Sequence, residues 1–472
     1  MRKVAVTGGS GQLGALIVRR LLARNDTDAV VCIDRSPPRI ASTKVQFIEA
    51  DIRDKNLDRH FVGCDTVVHC AFLVTSNAPA DVYHSVNVEG SKNVFRSAAT
   101  AGCKAVVYMS SIAAYGCVPG HPVPITEDAA RVYQPDFPYS ACKFEIEAFL
   151  DSFDAEHPDI AVCRIRPNIL LGRMVPHALG TLLRKGEIPP TGGAPLPIVS
   201  DEDVADLVLL AIEKRARGPF NAGVEELLTA NELAKELGLS VAWIPKPLVL
   251  GYGMLDRMLK LVRLHLPYDI AWLTSTQDVT IAVSSLRAKN ELGWRPRYPT
   301  ASAVLRHFLE TAPRRLDRRL ALALWLIARE GRRQRGGEQR VCVHLCIEGE
   351  YGGDYSIIAA GGRTSIRRGT PKLPTGAIFV SSTVLCGLLA GTIDLDRAVR
   401  NEEVRTEGNS DGYDILRWMV ESFTLLSRRN SLAGRTARLL MRTFSEGQAP
   451  LLVPSTRPKM ESPWPRRSGP SL

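Results

Sequence analysis

The amino-acid sequence predicts an α/β fold: a doubly wound parallel sheet with a small substrate subdomain, followed by a smaller α+β domain. Three observations support this prediction. Short apolar strands alternate with helical segments from residue 1 to about 220, as parallel strands with helical crossovers require. A glycine-rich turn follows the first strand directly. An arginine- and glycine-rich stretch, 313–337, then separates this region from a part of the chain that no longer alternates.

The strands of the first region are predicted from short apolar runs bounded by turn residues. A helical segment or a long loop separates each run from the next, which favours parallel pairing over hairpins. The six predicted strands are 1–6, 29–33, 45–48, 66–69, 105–109 and 161–165.

The turn after the first strand carries Gly8, Gly11 and Gly14, and a helix-like segment follows at once. Glycines let the backbone approach a pyrophosphate, and a helix N-terminus supplies free N–H groups and positive partial charge. Asp34 ends the second strand twenty positions after Gly14, where an acid meets the ribose hydroxyls of NAD. The sequence therefore predicts an NAD site. The adjacent Arg35 keeps NADP open, because it could pair with a 2′-phosphate.

A second set of residues predicts redox chemistry. Ser111 follows the fifth strand, and Tyr139 and Lys143 lie four residues apart at the start of a helical run, so they share one helix face. An ammonium beside a phenol is expected to lower the phenol pKa toward the range of a general acid or base. We expect Tyr139 to exchange a proton with a carbinol oxygen that Ser111 holds.

These motifs resemble the extended short-chain dehydrogenase/reductases, the superfamily of NAD-dependent epimerases, dehydratases and 3β-hydroxysteroid dehydrogenases, over residues 1–312. The resemblance implies a Rossmann fold and a catalytic set of Ser111, Tyr139 and Lys143. It also implies that the pyrophosphate is bound by the glycine turn, the ribose by Asp34, and the adenine by Asp51 and Ile52. The implied cofactor-binding residues are Gly8, Gly11, Gln12, Leu13, Gly14, Asp34, Asp51, Ile52, Ala71, Tyr139, Lys143 and Pro167. No metal site is predicted.

The substrate class is less clearly indicated. Many nucleotide-sugar enzymes of this superfamily carry an asparagine at the position of Ile169 and a tyrosine at that of Leu171. Asn168 is displaced by one residue, which points it to the opposite face of an extended chain. This favours an apolar substrate. The amphipathic segment 248–275 is either a lid over such a substrate or a helix that packs on the subdomain.

The carboxyl-terminal part resembles the sterol carrier protein family of lipid-binding domains over 338–446. The resemblance rests on a strand leading into a helix at 377–389, a Gly391 turn, the segment 404–408 and a final helix around 416–426. The stretch 313–337 is predicted to be a basic helical linker, and 447–472 a disordered tail.

The chain has 472 residues and a net charge of +10, which arises largely from arginine clusters in the linker and the tail. Nucleic acid is therefore not an expected partner. The ten cysteines include no Cys-x-x-Cys pair and lie mostly in apolar runs, which favours reduced thiols and a cytoplasmic location. Peripheral membrane contact and a homodimer remain open.

Together these patterns predict an NAD(P)-dependent oxidoreductase acting on a ring hydroxyl or ketone of a sterol-like or other hydrophobic substrate. The carboxyl-terminal domain would hold that substrate near the site and raise its effective concentration. The first alternative is a nucleotide-sugar epimerase or dehydratase that uses the same three residues. The second is a non-catalytic lipid-transfer or sensor protein.

Overall fold

The computed structural model describes residues 2–446 except 37, 39, 41, 75–78, 173–177, 185, 243–278, 312–317, 332–340, 349–352, 361–362, 369–374, 402 and 409–410. The predicted helix at 248–275 and the predicted tail at 447–472 therefore lie outside the described residues.

A seven-stranded, fully parallel sheet forms the first domain. All six predicted strands are present, and the seventh, at 218–222, was missed because its sequence, Gly-Pro-Phe-Asn-Ala, contains no apolar run. The strand order is β10-β6-β5-β4-β1-β2-β3, with the ranges given below. The direction of winding reverses between β1 (Arg2–Thr7) and β4 (Thr66–His69). Ligands bind at this switch point in such sheets. The strands are β1 (Arg2–Thr7), β2 (Thr27–Asp34), β3 (Val45–Glu49), β4 (Thr66–His69), β5 (Ala105–Met109), β6 (Ala161–Pro167) and β10 (Gly218–Ala222).

Helices cover both faces of this sheet, as the doubly wound prediction requires. One apolar layer contains residues of α1, α6 and α8 together with the buried Trp294, and the other contains residues of α3 and α4. A π-helical segment, Ser85–Glu89, joins α2 to α3. The helices are α1 (Gln12–Leu22), α2 (Ala80–His84), α3 (Gly90–Thr100), α4 (Pro138–Glu156), α6 (Asp201–Lys214) and α8 (Leu286–Leu292).

A small subdomain stands beside the carboxyl end of β6 and has its own apolar core. It contains two short parallel strand pairs, β7 with β9 and β8 with β11. Its elements are β7 (Ile169–Leu171), α5 (Ala178–Arg184), β8 (Glu187–Ile188), β9 (Ile198–Ser200), α7 (Ala230–Leu237), β11 (Ser240–Val241) and α9 (Ala301–Thr311).

A separate α+β domain follows, with a five-stranded sheet in the order β14-β13-β12-β15-β16. The helix predicted as a linker, α10, contributes Leu320, Leu324 and Ile327 to the core of this domain. The likeness to sterol carrier proteins stays a prediction. The elements are α10 (Arg318–Gly331), β12 (Val341–Glu348), β13 (Gly353–Ala360), β14 (Arg363–Arg368), β15 (Gly376–Ser381), α11 (Ser382–Ala390), α12 (Leu395–Arg400), β16 (Val404–Gly408), α13 (Asp411–Ser427) and α14 (Leu432–Glu446).

The helices of the second domain pack on one face of its sheet, and the other face carries a small apolar cluster of Cys346, Ala377 and Phe379. The guanidinium of Arg19, in the last turn of α1, lies 5.1 Å from the centre of the Phe379 ring. Arg405 lies 4.7 Å from the same ring. The two domains therefore meet at a cation–π contact.

Candidate active site

The glycine turn packs closely against the end of β4. Gly8 has a φ of +71°, and a Cβ there would lie 2.6 Å from the amide nitrogen of Ala71. A Cβ on Gly14 would lie 2.1 Å from the carbonyl oxygen of Gly8. Gly11 precedes α1 without a capping side chain, so this helix start presents its first amides as an anion site. The turn therefore has the shape of a phosphate cradle, with Gln12 and Leu13 in the first turn of α1.

Asp34 lies at the end of β2, where its carboxylate accepts hydrogen bonds from the amides of Ser10 at 3.1 Å and Ser36 at 3.3 Å. These bonds hold the glycine turn against the tip of β2. The neighbouring Arg35 is exposed. This arrangement places a carboxylate beside the turn, as the prediction of a ribose contact requires.

The predicted adenine-binding pair follows β3. The Asp51 carboxylate accepts three hydrogen bonds from the backbone and guanidinium of Arg53, which lower the pKa of Asp51. Ile52 is buried beneath Gly90, where a Cβ would lie 2.7 Å from the Ile52 side chain. The Asp51 carboxylate is thus paired with the Arg53 guanidinium, and Ile52 lies beneath the start of α3.

Ser111 and Tyr139 come together at the carboxyl end of β5. Ser111 caps a 3₁₀ turn, Ile112–Tyr115, and accepts a hydrogen bond from the amide of Ala113 at 3.2 Å. Burial raises the pKa of the Tyr139 phenol, and a hydrogen bond with Ser111 opposes that rise. Ala71 and Pro167 lie at the same edge of the sheet.

Lys143 lies one helical turn after Tyr139, with its Nζ 5.7 Å from the centre of the Tyr139 ring. The ammonium donates hydrogen bonds to the Met109 carbonyl at 2.8 Å and the Tyr108 hydroxyl at 3.2 Å, and it lies 3.8 Å from the centre of the Phe72 ring. Burial lowers the pKa of Lys143 to about 7. The expected lowering of the Tyr139 pKa by Lys143 is wrong here, because burial dominates at the phenol.

The sequence analysis missed the buried ion cluster behind these residues. Glu147 is fully buried, accepts a hydrogen bond from Ser110 at 2.5 Å and pairs with Arg166 and Arg131. Because Glu147 lies four residues after Lys143, the i,i+4 spacing on α4 could have indicated it. The cluster fixes the strand end that carries Ser111.

A second missed contact reaches the glycine turn from α6. The side-chain amide of Gln12 donates a hydrogen bond to Asp201 Oδ2 at 2.9 Å. Burial raises the pKa of Asp201 to about 6, and the hydrogen bond from Gln12 opposes this rise. No sequence signal connects two residues so far apart along the chain.

The residues that distinguish substrate classes lie at the start of the subdomain. Asn168 is 4% exposed and packs against Gly223, where a Cβ would lie 2.3 Å from its side-chain amide nitrogen. Ile169 and Leu171 belong to the apolar subdomain core. Arg173, the last position of this motif, lies outside the described residues.

Residues 4–223 match the model of the NAD dependent epimerase/dehydratase family. The chain is 27% identical over 317 residues to an uncharacterized protein of Sinorhizobium fredii, covering 65% of this chain and 77% of the relative. It is 26% identical over 323 residues to the UDP-glucose 4-epimerase of Vibrio cholerae, covering 62% and 91% respectively.

Among solved structures, the UDP-glucose-4-epimerase of Stenotrophomonas maltophila with bound NAD has a TM-score of 0.51 at 22% identity. The match covers 65% of this chain and 96% of that chain, and it shows that the fold is shared. The match of residues 4–223 to this family model supports an NAD-dependent oxidoreductase or epimerase. None of the described helices is both long and apolar enough to cross a membrane.

Proposed function

We propose that the epimerase/dehydratase domain oxidises a secondary alcohol of a nucleotide-linked sugar to a transient ketone and then reduces or rearranges it. The observation that carries this proposal is the grouping of Ser111, Tyr139 and Lys143 at the sheet edge that also bears the glycine turn. The relative named as a UDP-glucose 4-epimerase supports the sugar substrate, because the chain matches 91% of its length. This alternative is better supported than a sterol-like substrate.

The described residues fit NAD. The cradle formed by Gly8 and Gly14 has no room for a Cβ, and the first turn of α1 provides amides for a pyrophosphate. Asp34 offers its carboxylate beside that turn. When bound, NAD supplies the acceptor for the hydride that leaves the carbinol carbon, and it returns the hydride to the ketone.

The protein's own part is to move one proton and hold one oxygen. Tyr139 acts as the phenolate in the oxidation: it takes the proton of the substrate hydroxyl and becomes a phenol, and it returns the same proton during reduction, so the two half-reactions balance. Ser111 holds the same oxygen by a hydrogen bond. The Lys143 ammonium lies near enough to favour the phenolate while the proton is on the substrate side.

The test is turnover of UDP-glucose, UDP-N-acetylglucosamine and UDP-glucuronic acid by the full chain with NAD, followed by chromatographic separation of epimers. We expect Tyr139→Phe to abolish turnover, since no other hydroxyl replaces the proton carrier. The matched control is Tyr133→Phe, because Tyr133 is 49% exposed and lies outside this group. Equal activity of the two variants would contradict the assigned role of Tyr139.

One observation favours a second candidate, a hydrophobic alcohol such as a 3-hydroxysteroid. Ile169 and Leu171 replace the polar residues of the sugar motif, and Asn168 is turned into the protein against Gly223. NADH formation with a panel of 3-hydroxysteroids tests this candidate under the same conditions. Turnover of steroids with none of UDP-sugars would reverse the order of the two proposals.

A further inference from the structure

Three chemically reactive side chains lie together in the second domain, far along the chain from the redox residues. His344 and Cys346 belong to β12, and Asp354 lies directly opposite Cys346 on the antiparallel strand β13. Because side chains two residues apart share a face of a strand, all three project from the same face of the sheet. One ligand atom from each, a ring nitrogen, a sulfur and a carboxylate oxygen, lies within 4.8 Å of the other two.

The His344 ring is oriented toward the Asp354 carboxylate within this cluster. Nε2 of His344 lies 2.8 Å from the Asp354 carboxylate. A carboxylate only accepts hydrogen bonds, so Nε2 carries the proton and Nδ1 carries a lone pair. His344 is 4% exposed, and its Nδ1 is buried with no hydrogen-bond partner among the described residues. A cation bound by Nε2, the Asp354 carboxylate and the Cys346 sulfur would take the place of the proton between Nε2 and Asp354, and the imidazole would then carry its proton on Nδ1.

We propose that His344, Cys346 and Asp354 form a binding site for a divalent transition-metal ion, with Zn²⁺ as the best match. A set of imidazole nitrogen, thiolate sulfur and carboxylate oxygen suits Zn²⁺, whereas Mg²⁺ and Ca²⁺ prefer oxygen alone. Binding releases the Cys346 thiol proton to solvent.

The sequence analysis predicted no metal site because the spacing of these residues matches no recognised zinc signature. Only strand pairing brings Asp354 opposite Cys346, and the register is not readable from the chain. The site adjoins the contact between the domains, since the His344 ring lies 6.3 Å from the ring of Phe379, which Arg19 covers. A metal ion here would stiffen the sheet face that meets the first domain.

The test uses the reduced full chain, stripped with chelator, dialysed and titrated with Zn²⁺ against a chromophoric chelator. We expect about one Zn²⁺ per chain for the wild type. Cys346→Ser and His344→Gln should each weaken binding by at least about tenfold, and Asp354→Asn by about 10- to 100-fold. Cys342→Ser is the matched control, because it removes a thiol from the same face of the same strand, four residues away. It should bind as the wild type does.

Replacement of Zn²⁺ by Co²⁺ provides a spectroscopic readout of the thiolate ligand. A thiolate-to-cobalt charge-transfer band in the wild type that is lost in Cys346→Ser and kept in Cys342→Ser supports the proposal. No Zn²⁺ uptake and no such band in the wild type would overturn it, as would equal binding by all the variants. Neither result bears on the redox site, whose readout is turnover of NAD.

Discussion

The side-chain amide of Gln12 donates a hydrogen bond to the Asp201 carboxylate, which joins the first turn of α1 to the start of α6. Asp201 is 7% exposed, so its carboxylate is a buried charge when it is ionised. The cofactor turn is therefore braced by a buried carboxyl whose protonation state depends on pH in the mildly acidic range.

Asp201→Asn should stabilise the protein at neutral pH. The folded-state pKa of about 6 lies above the ordinary value of 3.8, so the stability linked to the bound proton is present below about pH 4 and is lost as pH rises through 6. The asparagine variant cannot ionise at this position, so its free energy of unfolding does not fall in this way; the difference is at most about 3 kcal/mol. Urea unfolding at pH 5 and pH 7.5 measures the difference in unfolding free energy between the variant and the wild type. The gain should be larger at pH 7.5, and an equal gain at both would contradict the buried-charge explanation; exposed Asp28→Asn is the control.

Gly8→Ala should weaken NAD binding by at least about tenfold and destabilise the fold, because its Cβ would collide with the backbone of Ala71. Gly102→Ala is the matched control. It has a similar φ of +75° but open space around the position, so it bears only the backbone strain. Isothermal titration with NAD checks both variants. Similar NAD affinities would show that close packing of the turn is not what the cofactor requires.

Lys143→Met should change the pH dependence of stability. Because the folded-state pKa of about 7 lies below the ordinary 10.5, the cost of the buried ammonium is full below pH 7 and is relieved as pH rises from 7 toward 10.5. The wild type should therefore gain stability relative to the variant between pH 6.5 and pH 9.5 in chemical unfolding. A constant difference would rule out a buried ammonium at this position, and the exposed Lys104→Met provides the baseline.

Glu147→Gln should destabilise the protein by about 3–5 kcal/mol, since removing one partner of a buried ion cluster leaves Arg166 without its counter-charge. Glu145→Gln lies two residues away on α4, pairs with a half-exposed His84 and should cost less than about 1 kcal/mol. Thermal and urea unfolding compare the two. Equal costs would mean that the cluster is solvated in solution.

The sequence predicted the parallel sheet because local periodicity reports strands and helices directly. The catalytic candidates Tyr139 and Lys143 could also be predicted from the sequence, since helical spacing alone places them on one face. The bond from Gln12 to Asp201 and the pairing of Cys346 with Asp354 were not, because each depends on tertiary packing or strand register. The Tyr139 pKa was mispredicted for the same reason: burial is a property of the packed protein.

Helix α1 limits how the molecule can be dissected. Its first turn directly follows the glycine turn, and its last turn places Arg19 over Phe379 of the second domain. Cutting the chain near residue 312 would separate Arg19 from Phe379, and the excised second domain would expose Phe379 and its neighbour Ala377 to water. Fragments cut at this boundary are therefore expected to be prone to self-association, and the two domains are best studied as one polypeptide.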